Sequence, residues 1–123
     1  MRTTAKALKQ FVGGFNLPAY AENTVPEKTQ LPYLTYPIVE PEWNQKASFY
    51  IQGYFRTTDY SPILEKADEI MGAIGEGIKL DMEHGYLVIY PETPFIQTMV
   101  SEDKNIRSFY LNLAINAYHM PGR

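Results

Sequence analysis

Residues 48–57 read SFYIQGYFRT, and their strict alternation predicts a β-strand with one face in the core. Successive side chains of a strand point to opposite faces of a sheet, so every second residue shares a face. The two sets are Phe49, Ile51, Gly53 and Phe55 on one side and Tyr50, Gln52, Tyr54 and Arg56 on the other. The first set is mainly apolar and the second polar and aromatic, which predicts a sheet with one buried face and one open face.

The run at residues 106–120 repeats this period over a longer stretch. Its apolar set is Phe109, Leu111, Leu113, Ile115 and Ala117, and its opposite set is Ser108, Tyr110, Asn112, Asn116 and Tyr118. Tyrosine and asparagine suit a contact that is wet but specific. We therefore expect the face carrying Tyr50, Tyr54, Tyr110, Asn112 and Tyr118 to be either an interface or a plain solvent-facing surface, and the sequence leaves both open.

Two helices are predicted. Residues 61–74 begin with Ser61 as a candidate cap and Pro62 near the first helical position, and Gly75 provides a stop. The apolar period of this helix is Ile63, Leu64, Ala67, Ile70, Met71 and Ile74. A shorter helix over residues 3–12 ends at Gly13-Gly14. Its outer side carries Arg2, Lys6 and Lys9, which are either a solvated face or a contact for an acidic neighbour.

The remaining strands are predicted at residues 33–39, 78–82, 86–90 and 95–100, with a hairpin turn at His84-Gly85, where glycine supplies unusual backbone angles. The whole chain, residues 1–123, is predicted to form one domain. Its fold class is α+β: a mixed, mainly antiparallel sheet of about five strands with two helices packed on one face. The predicted element order is α-β-β-α-β-β-β, with a long arm after the first helix.

The arm lies between the first helix and the first strand and shows no periodicity. It nevertheless keeps large apolar or aromatic groups at Phe15, Leu17, Tyr20 and Val25, which a purely solvated linker does not need. We predict that Leu17, Pro18 and Tyr20 contact another molecule. The alternative is a loop that packs on its own subunit.

Composition excludes several classes of function. The formal net charge is −3 and there is no cysteine, which argues against broad phosphate binding, disulfides and thiolate chemistry. No apolar run is long enough to cross a bilayer, and no signal core follows Met1, so we expect a protein made inside a cell. No nucleotide-binding glycine motif and no nucleophile motif is present, so we predict no enzyme activity and no cofactor.

Titratable clusters give only weak signals. Asp81, Glu83 and His84 offer metal ligands, but charged residues beside a hairpin turn are ordinary. The acidic residues of the second predicted helix, Glu65, Asp68 and Glu69, are interpreted as its solvated face. His119 is predicted to be a partly buried packing residue.

Three sequence segments carry a resemblance to a known family. Residues 15–20 read FNLPAY after a short helix, residues 31–36 read LPYLTY where the sheet begins, and the strand at residues 49–55 runs into YSP at 60–62 and a helix. Over nearly the whole chain, this pattern resembles the tail terminator proteins of long-tailed phages, which are often labelled minor capsid proteins in prophage regions.

The resemblance implies a structural protein of the virion, assembled in the host cytoplasm. Six copies would form a ring on the last ring of the tail tube, stop tube growth and present a surface to the head-side connector or stopper protein. DNA would pass through a mildly acidic lumen without specific binding, which is compatible with the net charge. The arm, residues 17–28, would be the first candidate for the neighbour or tail-tube contact, and the turn at 102–104 the second.

Two alternatives remain beside the terminator. Other phage neck proteins, namely stoppers and tail-completion proteins, look alike at this level of resemblance. A small monomeric adaptor would instead use the tyrosine-rich sheet face to bind a peptide or protein.

Overall fold

The described part of the chain forms a six-stranded sheet and two α-helices. The structure is a computed structural model that describes residues 3–99 and 101–119. The helices are α1 (Thr3–Val12) and α2 (Ser61–Ile74), with a 3₁₀ turn at Gly13–Phe15 after α1. The strands are β1 (Ala19–Ala21), β2 (Tyr33–Tyr36), β3 (Lys46–Arg56), β4 (Ile78–Met82), β5 (Gly85–Met99) and β6 (Ile106–His119).

The strand order across the sheet is β1-β2-β3-β6-β5-β4. Only β1 and β2 pair in parallel, and every other neighbouring pair is antiparallel. The long β3–β6 ladder runs from the Lys46–Asn116 pair to the Arg56–Ile106 pair. The predicted α+β class with a mixed, mainly antiparallel sheet is confirmed.

Two details of the element order differ from the prediction. A short extra strand, β1, lies inside the predicted arm. The predicted strands at 86–90 and 95–100 are one continuous strand, β5, whose register against β6 shifts between Pro91 and Ile96. Val100 and Met120, predicted as strand ends, and Arg2 lie outside the described residues.

The alternation read from the sequence places the core correctly. Phe49 and Ile51 of β3 and Phe109 and Leu111 of β6 are essentially inaccessible to solvent, and they join one apolar cluster with both helices. From the helices, the buried members of this cluster are Leu8, Val12, Ile63, Ala67, Ile70 and Ile74. Burial of this shared apolar surface is what holds both helices on one face of the sheet.

Helix α1 lies against both edge strands, β1 and β4. The hydroxyl of Thr4 donates to Sδ of Met82 in β4 at 3.5 Å, and Thr4 is buried there. The sheet therefore curls far enough for one helix to reach both of its edges. Neither helix among the described residues has the length and apolar character needed to cross a membrane.

Of the two predicted ends of α2, only the C-terminal one is confirmed. The residue before the helix is Tyr60, which makes no capping bond with its side chain; instead Asp59 Oδ1 accepts the Ser61 N–H at 2.6 Å. The predicted capping role of Ser61 is wrong, because Ser61 is already the first helical residue. At the other end Gly75 has φ +58° and its N–H donates to the Met71 carbonyl at 2.7 Å, so glycine stops the helix as predicted.

Gly85 does belong to the predicted hairpin, but for another reason than the one inferred. It is the first residue of β5, and its φ is not in the left-handed region. A Cβ at this position would collide with the carbonyl oxygen of Tyr118 on β6. The close approach of the neighbouring strand, and not the turn conformation, requires glycine here.

Candidate assembly surfaces

The open face of the sheet holds most of the tyrosines of this chain. By strand register, eight of the ten tyrosines lie on the face opposite the helices. They are Tyr20, Tyr33, Tyr50, Tyr54, Tyr86, Tyr90, Tyr110 and Tyr118. Of the remaining two, Tyr36 points into the core and Tyr60 precedes α2. The predicted residues Tyr50, Tyr54, Tyr110, Asn112 and Tyr118 are thus brought together on one surface, which we call the tyrosine face.

The tyrosines of this face pack on one another. Their rings are only half exposed, and shorter neighbours on the same face, Thr35 and Ser108, are buried between them. Ring centroids lie 5.0–5.9 Å apart in the pairs Tyr20–Tyr33, Tyr33–Tyr54, Tyr50–Tyr110 and Tyr86–Tyr118. These separations are typical of favourable aromatic contacts. The tyrosine face is consequently a pre-ordered layer that would lose little side-chain entropy on binding.

Asparagine side chains form hydrogen bonds with other polar groups of the tyrosine face. Asn116 accepts a hydrogen bond from the Tyr90 hydroxyl and donates its amide to the Tyr118 hydroxyl, each at 3.2 Å. The amide of Asn112 donates to Oε1 of Gln97 at 2.8 Å. Both asparagines therefore hold neighbouring strands in register while keeping a polar surface.

The arm is tied to the tyrosine face through one strong hydrogen bond. The hydroxyl of Tyr50 donates to Oε2 of Glu22 at 2.5 Å, and this bond, followed by burial, raises the pKa of Tyr50 to about 12. The pKa of Tyr54 is also raised, mainly because burial disfavours the phenolate. Both side chains are neutral phenols at physiological pH.

The first part of the arm packs on its own subunit. Leu17 lies against the core, the Pro18 carbonyl accepts the Leu34 N–H at 2.8 Å, and the Glu22 N–H donates to the Tyr36 carbonyl at 2.9 Å. Tyr20 packs on Tyr33 of β2. Residues 17–22 thus contact their own subunit, whereas residues 23–30 carry mostly exposed side chains.

A cavity of about 410 Å³ opens where the arm meets the tyrosine face. Its lining is polar, and the carboxylate of Glu22 is the one charged group that the described residues supply to it. The lining residues are Glu22, Asn23, Val25, Tyr33, Thr35, Gln52 and Tyr54.

Sequence reasoning missed the exposed apolar side chains. Ile38 is 59% exposed, Leu64 49% and Trp43 43%. Leu64 sits in the apolar period of α2 yet points away from the sheet, so periodicity alone mistook it for core. Trp43 is the single tryptophan of the chain in a proline-flanked loop, a signal that could have been noticed.

The ring of Trp43 also packs against the ring of His119. The two rings lie 5.1 Å apart, and the loop is fastened to β6 by the Asn44 N–H donating to the Ala117 carbonyl at 2.7 Å. The prediction that His119 is partly buried is wrong: its side chain is exposed, at the last described residue of β6.

The titratable clusters are arranged as surface groups. Asp81 lies 3.8 Å from Lys79, and Glu83 lies 3.7 Å from the imidazole of His84. Within the described residues no three His, Cys, Asp or Glu side chains are grouped as metal ligands. On α2, Glu69 pairs with Lys66 at 2.8 Å, and all three acidic residues of that helix are exposed, as their interpretation as a solvated face requires.

Comparison with known proteins gives a likeness of fold. No protein-family model matches the sequence, and no curated protein matches it significantly. A chain in the virion of a native gene transfer agent particle is similar with a TM-score of 0.69 and 14% identity, over 94% of this chain and 94% of that chain. A second solved structure, one without a descriptive name, is similar with a TM-score of 0.58 and 15% identity, over 97% and 93% of the two chains. At these identities, the comparisons establish a shared fold.

Proposed function

We propose that this protein is a structural component of a phage-like particle and acts as its tail terminator. The observation that carries the proposal is the likeness to a chain of a gene transfer agent virion, which spans 94% of both chains. The sequence phrases at 15–20, 31–36 and 49–62 support the same class independently of the fold. In this role the protein forms a ring of six copies, ends polymerisation of the tail tube and joins it to the head-side connector.

The surfaces suit an assembling protein. The tyrosine face is ordered before any partner binds, and Ile38, Trp43 and Leu64 leave apolar area exposed away from it. In a closed ring each such patch is repeated once per subunit, so individually weak contacts add up. We propose Tyr50, Tyr54, Tyr110, Asn112 and Tyr118 as contacts to a neighbouring subunit or to the tail tube.

The arm is a second proposed contact. Residues 17–22, with Leu17, Pro18 and Tyr20, hold it to the subunit. The exposed side chains of residues 23–30 support a contact with the tail-tube protein there. The role requires no catalytic group, and DNA passing through the ring meets a chain with a net charge of −3, which disfavours sticking. The protein would reside in the virion at the head–tail junction, after assembly in the host cytoplasm.

Deletion of this gene alone from the genome that encodes the particle tests the proposal. Electron microscopy of the lysate should show full heads separate from tails of unregulated length. Tails of normal length that fail to join heads would indicate a stopper or tail-completion protein instead. Normal particles would overturn the neck assignment and favour the adaptor, which would use the tyrosine face alone.

A further inference from the structure

We propose that a groove beside α1 receives helix α2 of a second copy of this chain, and that this contact is the lateral interface of the ring. The inference rests on the proposed function, because it supplies the subunit contact that the ring requires. A groove on one copy that takes a helix from the next is a heterologous contact, which closes into a ring when the rotation between copies allows.

The groove lies between α1 and the β1 edge of the sheet. Its volume is about 530 Å³, and small or apolar side chains form its floor and far rim, among them Ala19, Ala21, Tyr36 and Ile38. Lys6 and Lys9 form the near rim on α1, and among the described residues no carboxylate lines the groove. Neither lysine makes an ion pair with any residue that the structure describes.

The outer side of α2 has the complementary chemistry. Leu64 is 49% exposed there and offers an apolar side chain to a partner. Glu65 and Asp68 stand beside it, both exposed and without an ion pair inside the described part of the chain. The same helix supplies an apolar group to fill a groove and carboxylates to meet its rim.

The spacing of the charges matches. Lys6 and Lys9 are three residues apart on α1, and Glu65 and Asp68 are three residues apart on α2. Side chains at this spacing lie on the same side of a helix, about 4.5 Å apart along its axis. Two helices lying side by side can therefore make both ion pairs at once, while Leu64 enters the groove against Ile38.

The first test uses charge reversal. One variant carries Lys6→Glu and Lys9→Glu, so that groove and helix are both acidic; the other carries Glu65→Lys and Asp68→Lys, so that both are basic. Each variant alone places like charges across the contact, and its association, followed by native mass spectrometry, should weaken on the order of 100-fold. An equimolar mixture should recover assembly, because each contact then joins an acidic variant to a basic one. The two variants should therefore alternate, and the assemblies should contain only even numbers of subunits. A matched control, Glu76→Lys with Glu83→Lys, should assemble like the wild type.

The second test uses the absence of cysteine. Ile38→Cys protein mixed with Leu64→Cys protein should form a disulfide-linked heterodimer under mild oxidation, well above the yield of Leu64→Cys mixed with exposed Glu83→Cys. The same pair is to be examined both in solution and in particles assembled from the two variants, so that a contact formed only on the tail tube is also captured.

The outcomes separate the interface from the function. No excess of the Ile38–Leu64 heterodimer in either setting, or no recovery by the charge-reversed mixture, overturns this interface even if gene deletion abolishes tail termination. Conversely, a specific heterodimer and an alternating assembly in solution, together with normal particles after gene deletion, would support the interface and refute the terminator role.

Discussion

The hydroxyl of Tyr50 on β3 donates a 2.5 Å hydrogen bond to the carboxylate of Glu22 in the arm. These residues are 28 positions apart, and their contact fastens the start of a long connection to the open face of the sheet. The bond is also the largest cause of the rise in the pKa of Tyr50 to about 12, ahead of burial.

Tyr50→Phe should lower the free energy of unfolding by about 0.5–1 kcal/mol at pH 8, since a charge-assisted bond is lost at a partly exposed site. The folded pKa lies above the ordinary value of 10, so the stabilisation is complete below pH 10 and is lost as the pH rises towards 12. Urea unfolding of both proteins should show a difference that shrinks over that interval. Tyr86→Phe, whose hydroxyl has no hydrogen bond within the described residues, serves as the control, and an equal loss in that variant would contradict the prediction.

Gly53→Ala should destabilise the protein by about 1–3 kcal/mol through overpacking. An added Cβ would run into the ring of Phe109, which is fully buried in the core. Gly72→Ala on α2 is the matched control, because its Cβ would meet nothing, and it should be neutral or stabilising by up to about 1 kcal/mol. Chemical denaturation of both variants measures the contrast; similar stabilities would contradict the predicted clash with Phe109.

Tyr54→Ala and Tyr110→Ala should leave the fold intact and weaken assembly about tenfold or more if the tyrosine face is an interface. Each loses a ring contact, with Tyr33 and Tyr50 respectively, but neither side chain reaches the apolar core. Circular dichroism reports the fold and native mass spectrometry the assembly.

Tyr36→Ala provides the comparison for these variants, since Tyr36 points into the core and its loss should cost about 3–5 kcal/mol. Unfolding of the Tyr54 and Tyr110 variants to the same degree would show that the tyrosine face is also core. Unchanged assembly in both would remove it as an interface between copies of this chain.

Amide hydrogen exchange should divide the arm in two. The amides of Glu22 and Leu34 are bonded to the carbonyls of Tyr36 and Pro18 and should exchange slowly in the isolated protein. Residues 23–30 should exchange faster, because the amides of Thr24 and Thr29 bond to carbonyls three residues back in turns whose side chains are mostly exposed. In assembled particles, protection should extend into residues 23–30 if the arm touches the tail tube. Fast exchange of those residues in both states would leave the arm without a partner role.

The sequence predicted the inside and outside of the sheet well. Alternation in β3 and β6 places Phe49 in the core and Tyr50 outside, because side-chain direction in a strand follows from the backbone alone. The apolar period of α2 and its end at Gly75 were equally readable, since both depend on neighbours within a few residues.

Features that depend on residues far apart in the chain could not be predicted from the sequence. The strand β1 exists only because Ala19–Ala21 finds β2 beside it, and three residues carry too little pattern to predict a strand. The register shift after Pro91 could not be told from a strand break. Leu64 matched the helical period and still faces outward, because which side of α2 meets the sheet is set by packing.

The sequence by itself thus determined the α+β class, the positions of most elements and the identity of the open face, since these follow from local backbone geometry and hydrophobic period. Only the tertiary structure decided which strands are neighbours, that α1 reaches both sheet edges, and that Glu22 meets Tyr50. Those relationships join residues far apart in the chain, and their free energy comes from contacts that no local pattern records.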